Sequence, residues 1–273
     1  MSGLIAAAVA PHTPRIGIEA NAPPFQHGLI QGLREMGEAI RALRPDVLVL
    51  NSAHWISTFV WYADGMNPHR GVCVAHEAPD LIPGVPYERK GDPDFAATFT
   101  DCVRTLGLTC NTVETEHFTW DYGALVPLLY LDPEGTLPVV QVPTCLMADH
   151  AESMRVGAVV DAAARKLGKR AVFVASCALS HELVRGPDKW PSEERIALDR
   201  RFMDLTCAGE IPALIDWFPT YSRNAVAEMG GRNLAAFLGA ASVMGPVVGR
   251  QYGAYAQSSG SGNASLLVTP APV

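Results

Sequence analysis

The chain has 273 residues, 48% hydrophobic and 18% charged, with a formal net charge of −7. That is enough apolar material for the core of one α/β domain spanning residues 1–273. The acidic balance, with no Lys/Arg cluster, excludes a nucleic-acid or anionic-membrane surface, since both need a concentrated positive field; the expected partner is a small molecule or another subunit.

Leu4–Ala10 is a continuous apolar run closed by Pro11, the pattern of a strand buried on both faces. It has no basic flank and is too short to span a bilayer, so neither a signal peptide nor a transmembrane helix is expected and a cytoplasmic location is. Leu29, Leu33, Met36, Ile40 and Leu43 then recur on one helical face, and Arg44-Pro45 ends that helix. Asp46–Asn51 supplies a second strand and completes a βαβ unit. Trp61–Lys90, rich in Pro, Gly and His, has little periodicity and reads as a long excursion over the sheet edge, the kind of segment that carries binding groups. Pro138–Val142 and Arg170–Ser176 repeat the strand pattern, and between them Met154–Leu167 carries Val156, Val159, Val160 and Ala163 as a helix. The Gly/Ser-rich stretch from Gln251 reads as a loop near the site, with a terminal strand over Leu266–Thr269. The expected fold is therefore α/β: a single domain with a central, largely parallel sheet flanked by helices, and an active site at the C-terminal edge of the strands.

The histidines give that edge its chemistry. His12, His54 and His181 each follow a strand-like run, so parallel strands would bring all three imidazoles together. Pro11 and Pro14 hold the backbone around His12 extended. Two neutral imidazoles with one carboxylate leave coordination positions open and suit non-haem Fe(II). Among 28 acidic residues Glu228 is the best third ligand, because it is the lone acid in the apolar segment Asn224–Gly231. A buried carboxylate is costly without a cation beside it. A single histidine after a strand is more often a hydrogen-bonded structural residue, and Glu228 could equally flank a helix start; the joint pattern favours the metal. His27, His69, His76 and His150 read as solvated loop residues, Trp55, Trp61 and Trp120 as core, and Arg15, Arg223 and Arg232 as surface. The six cysteines form no CxxC pair and read as packed thiols. There is no GxSxG, GxxxxGK[ST], HExxH or GxGxxG motif, which removes the common hydrolase, nucleotide and zincin readings.

The blocks PHTPR, NSAHW, SCALSH and AEMGGRNLAAFLGA, in this order over residues 11 to 240, make the chain similar to the class III extradiol ring-cleaving dioxygenases, the superfamily of the protocatechuate 4,5-dioxygenase catalytic subunit. Within it the chain resembles the 2-aminophenol 1,6-dioxygenase branch, because Asp121-Tyr122-Gly123 stands where other branches carry Asp-His-Gly. The resemblance implies that His12, His54 and Glu228 bind Fe(II) and that His181 is the acid/base. It makes Tyr122 a hydrogen-bond donor to substrate or oxygen, with His117 as the alternative donor. It implies O2 as co-substrate and a catechol, 2-aminophenol or hydroxypyridone as substrate. It also implies a homo-oligomer or an assembly with a paralogous subunit. Two other readings share the same residues: a zinc-dependent hydrolase or amidase, and a non-catalytic metal-binding member of the fold.

Overall fold

Every apolar run expected to be a strand pairs into one six-stranded sheet in the computed structural model, which describes residues 2–272. In chain order, β1 (Gly3–Ala10) leads through three short 3-10 turns to α1 (His27–Ala42) and β2 (Val47–Ser57). Next come β3 (Trp61–Asp64), β4 (His69–Cys73), β5 (Val85–Arg89), α2 (Pro93–Thr105), β6 (Cys110–Val113) and α3 (Tyr122–Leu131). Then follow β7 (Val139–Cys145), α4 (His150–Lys166), β8 (Arg170–Ser176), α5 (Glu193–Ala208) and α6 (Ile211–Asn224). A 3-10 turn over Glu228–Gly231, α7 (Arg232–Ser242), β9 (Val247–Ser258) and β10 (Ser261–Pro270) complete the chain.

The sheet order is β7-β2-β8-β1-β10-β9. The first four strands are mutually parallel, and β10 and β9 add an antiparallel edge. Alternate residues face opposite helical layers, as a period of two requires. Ala6, Ala8, Leu48, Leu50 and Val174 pack with α1 and α3, whereas Ala7, Val9, Val47, Val49 and Phe173 pack with α2, α4, α6 and α7. The helix predicted from Leu29 to Leu43 is α1, with Leu29, Leu33, Met36 and Ile40 on its buried face.

Four expectations are corrected. The two βαβ units interleave: β8 separates β1 from β2, and β2 separates β7 from β8. Periodicity marks a strand without naming its neighbour. The excursion at Trp61–Lys90 contains β3, β4 and β5, with β3 pairing β6 and β4 pairing β5 in two small sheets. The Gly/Ser-rich stretch is not a loop but most of the β9–β10 hairpin, in which Tyr252 and Ala256 of β9 and the run Leu266–Val268 of β10 are buried. The second helix begins at His150, four residues before Met154, with the Asp149 carboxylate accepting from the Glu152 N–H as its cap.

The helix behind the sheet leaves no slack. A Cβ added at Gly157 of α4 would lie 1.9 Å from the Ala236 carbonyl oxygen, and one at Gly239 of α7 would lie 1.9 Å from that of Met154. Gly157→Ala or Gly239→Ala should therefore force the helices apart and lower stability by about 1–3 kcal/mol, read as a fall in Tm. Gly107→Ala is not an equivalent control, because its φ is +78°; Gly28→Ala, with nothing closer than 3.9 Å, is. Among the described residues no helix is long and apolar enough to cross a membrane.

Candidate metal centre

His12 stands two residues past the end of β1, and Thr13 begins the turn that carries the chain away from the sheet. His54 is not beyond its strand, as expected, but inside it. Between Asn51↔Val142 and Ile56↔Thr144 the pairing of β2 with β7 slips, so β2 bulges over residues 52–55. A bulge re-aims a side chain that a regular strand would send to one face. Gly123, at the start of α3, allows the close approach: a Cβ there would lie 3.2 Å from His54 Cδ2 and 2.6 Å from Ser52 Oγ.

Glu228 and His181 are held by one small ladder. Glu228 N–H donates to Leu179 O, His181 N–H to Val226 O, and Leu179 N–H to Gly262 O. Residues 179–181 thus join the Glu228 turn to the start of β10. Beneath them the buried Asp199 accepts from the hydroxyls of Ser180, Tyr221 and Tyr255. Val226 (φ 51°) and Met229 (φ 49°) flank Glu228 in the left-handed region, where non-glycine residues are uncommon and a β-branched one is an outlier. Such strain is kept where the surroundings over-determine it. Arg232, expected at the surface, donates to Met229 O and Ala148 O and ties this turn down.

The result is a convergence of donor atoms. His12 Nε2 lies 3.1 Å from His54 Nε2 and 3.3 Å from Glu228 Oε1. His54 Nε2 is 3.9 Å and His181 Nε2 3.4 Å from the same oxygen. The ligand atoms of His12, His54 and Glu228 all lie within 4.8 Å of one another, and Glu228 is 4% exposed. Its second oxygen accepts the Ala178 N–H at 2.6 Å. Two imidazole lone pairs and a carboxylate crowded together need one positive charge between them, supplied by a proton or by a cation.

The electrostatics say the same of the metal-free protein. Burial works against the Glu228 charge, yet His12, His181 and His54 hold its carboxyl well below the ordinary range. Burial also works against a charged His12, but the Glu228 carboxylate raises its pKa overall. His54 is pushed down to about 4 by burial and by His12. The carboxylate thus favours positive charge at His12, at the place a cation would take. The donor set fits a metal of the kind bound by imidazole and carboxylate.

A cavity of about 370 Å³ opens over these atoms, lined by His12, His54, Tyr122, His181, Arg15 and Asn263 among others. Arg15 is thus half-buried at the site rather than at the surface. Tyr122 is buried, its ring centroid 4.1 Å from that of His54, and burial beside the Glu77 carboxylate raises its pKa. Asp121 caps α3 and accepts from Ser52 and Gln141, which fixes Tyr122 beside it. His117 is exposed and lines none of this cavity.

Of the histidines expected to be solvated, His69 is buried, its Nδ1 2.9 Å from Asp64 Oδ2 and its ring against Trp120. His150 packs its Nε2 on Gly230 O at 2.7 Å. Five of the six cysteines are buried, all unpaired. Two residues that face the outer ring nitrogens of the candidate ligands escaped the sequence reading: Ser176, whose hydroxyl is 3.1 Å from His12 Nδ1, and Glu77, whose Oε1 is 3.3 Å from His54 Nδ1. Ser176 ends a strand already marked, so its position gave a signal. Glu77 had none beyond lying in the Trp61–Lys90 excursion.

Residues 6–265 match the family described as the catalytic LigB subunit of aromatic ring-opening dioxygenases. The chain belongs to this family. The LigB-family chain is 23% identical over 233 residues to a 3,4-dihydroxyphenylacetate 2,3-dioxygenase of Escherichia coli, covering 81% of this chain and 84% of that protein. It is 28% identical over 249 residues to the beta subunit of a Pseudomonas sp 2-aminophenol 1,6-dioxygenase, covering 83% and 81%. The alpha subunit of a Pseudomonas sp 2-aminophenol 1,6-dioxygenase is 28% identical over 223 residues, covering 76% and 79%. In fold, it superposes on the crystal structure of the uncharacterised protein JW3007 of Escherichia coli K12 with a TM-score of 0.68 at 17% identity, over 96% of this chain and 99% of that one.

Proposed function

We propose that residues 1–273 form one catalytic domain of an extradiol dioxygenase. In this reading Fe(II) is held by His12, His54 and Glu228, and the enzyme opens an aromatic ring that bears adjacent OH/OH or OH/NH2 groups or is a hydroxypyridone. The observation that carries the reading is the convergence of two imidazole nitrogens and a buried carboxylate beneath a ring-sized cavity, in a chain of a ring-opening family. When bound, ferrous iron would supply the electron path between ring and O2. The protein's own part is position and proton management.

His181 reaches the cavity with its Nε2 3.4 Å from Glu228 Oε1 and its side chain 31% exposed. In this reading it takes a proton from the second ring heteroatom and returns one as the ring opens. Tyr122 is a neutral phenol whose hydroxyl faces the Glu77 carboxylate; in this reading it turns that hydrogen to substrate or oxygen when either is bound. Thr13, Ser258, Ser261 and Asn263 form a polar wall on the β10 side. We extend the reading to a homo-oligomer or an assembly with a paralogous subunit, a possibility supported by the two subunits of 2-aminophenol 1,6-dioxygenase among the relatives.

Oxygen consumption by anaerobically Fe(II)-loaded protein tests this with catechol, protocatechuate, 2-aminophenol and 3-hydroxy-4-pyridone. Uptake is expected with at least one, together with a yellow ring-opened product, loss of activity in air and recovery with ascorbate and ferrous salt. A metal-stripped sample whose activity ferrous salt fails to raise would sink the reading. Iron bound at one equivalent with no oxygen uptake on any substrate would do the same and turn attention to hydrolysis.

A further inference from the structure

A histidine directs one lone pair at a metal reliably only when its other ring nitrogen is engaged by a second group. His12 has that support from the core: Nδ1 faces the buried Ser176 hydroxyl at 3.1 Å, which itself donates to Gly123 O. His54 finds its support outside the sheet. Its Nδ1 lies 3.3 Å from Oε1 of Glu77, a side chain 55% exposed on the segment joining β4 to β5. The segment holds this residue in place. Ala75 N–H donates to Ile82 O and Leu81 N–H to Ala78 O, and both Ala75 and Ile82 are fully buried. Glu77 also stands in the wall between two cavities, the one over the ligands and another of about 620 Å³ beyond His54 and Tyr122.

We propose that Glu77 is the positioning residue of His54: its negative charge, 3.3 Å from Nδ1, favours the tautomer that carries the hydrogen on Nδ1 and leaves Nε2 for the metal, and makes metal retention depend on the β4–β5 segment. The inference rests on the reading of His54 as a ligand. Glu77 is not itself a ligand, because it meets the imidazole at Nδ1, whereas the edge bearing Nε2 faces His12 and Glu228. Nor is it an ordinary solvated acid such as Glu88, which meets only Arg70 at 3.8 Å with both side chains 67% exposed.

Anaerobic titration of the whole chain with Co(II) and with Fe(II), against a chelating indicator, tests this without calling on activity. Glu77→Ala should weaken both metals by about 10–100-fold, the usual effect of losing an outer-sphere partner, and should alter the visible Co(II) spectrum. Glu77→Gln should lose less, since its amide oxygen still presents a partial negative charge to Nδ1, and Glu88→Gln should match wild type. Unchanged metal affinity in Glu77→Ala would overturn the proposal; a raised KM beside it would make Glu77 a substrate contact instead. The dioxygenase reading fails separately, by wild-type protein that holds iron and consumes no oxygen. Wild-type protein that binds neither metal would overturn both.

Discussion

Glu228→Ala is expected to strip the protein of bound metal and of all oxygen uptake. Glu228 supplies the single carboxylate among the converging atoms, and its charge faces three imidazoles from a buried position. Without it the cation is left to neutral nitrogens. The loss of affinity should exceed the roughly 10–100-fold that removing an outer-sphere partner costs. Glu228→Gln, isosteric but uncharged, should also lose metal while keeping the fold, which separates charge from shape. Metal content by elemental analysis decides the matter, and a Glu228→Ala protein that keeps one equivalent of iron would remove Glu228 from the ligand set. The same geometry fixes a pH dependence. In the metal-free protein the Glu228 carboxylate raises the His12 pKa, so below that pKa a proton occupies the metal's place. His54, at about 4, is already neutral at pH 7. Metal affinity should therefore fall as pH drops through the His12 titration, with about one proton exchanged per ion, and should level off above it.

His181→Ala is the second large effect, and of a different kind. Its Nε2 contacts Glu228 but lies outside the group of three mutually close donors, and its side chain is partly open to the cavity. Turnover should fall by about 10²–10⁴-fold, the range for loss of a general acid or base, while metal affinity stays near wild type. Steady-state kinetics beside metal titration measures the split. Loss of metal would make His181 a ligand, and an unchanged kcat would end its proton-transfer role.

How much of this was readable in the chain varies from residue to residue. Buried parallel strands are continuous apolar runs, so Leu4–Ala10 and Arg170–Ser176 announced themselves. Glu228 stood out for a related reason: an acid among small apolar residues contradicts its surroundings unless something compensates the charge. Arg15 and His69 were misplaced because composition gives polarity but not the turn that brings a polar side chain inward. Glu77 carried no mark at all, since its partner is 23 positions away and the two meet only across the β4–β5 segment.

The chain by itself determined an α/β sheet, a candidate metal edge at which His12, His54, His181 and Glu228 come together, and a family resemblance borne by short blocks in order. These are local properties, because periodicity and residue type are written along the backbone. The tertiary structure alone decided the interleaved strand order, the bulge that turns His54 inward, the left-handed turn that delivers Glu228, and the outer partners Ser176 and Glu77. Each of those depends on contacts between segments distant in sequence, where the free energy lies in pairing and burial rather than in any one stretch of residues.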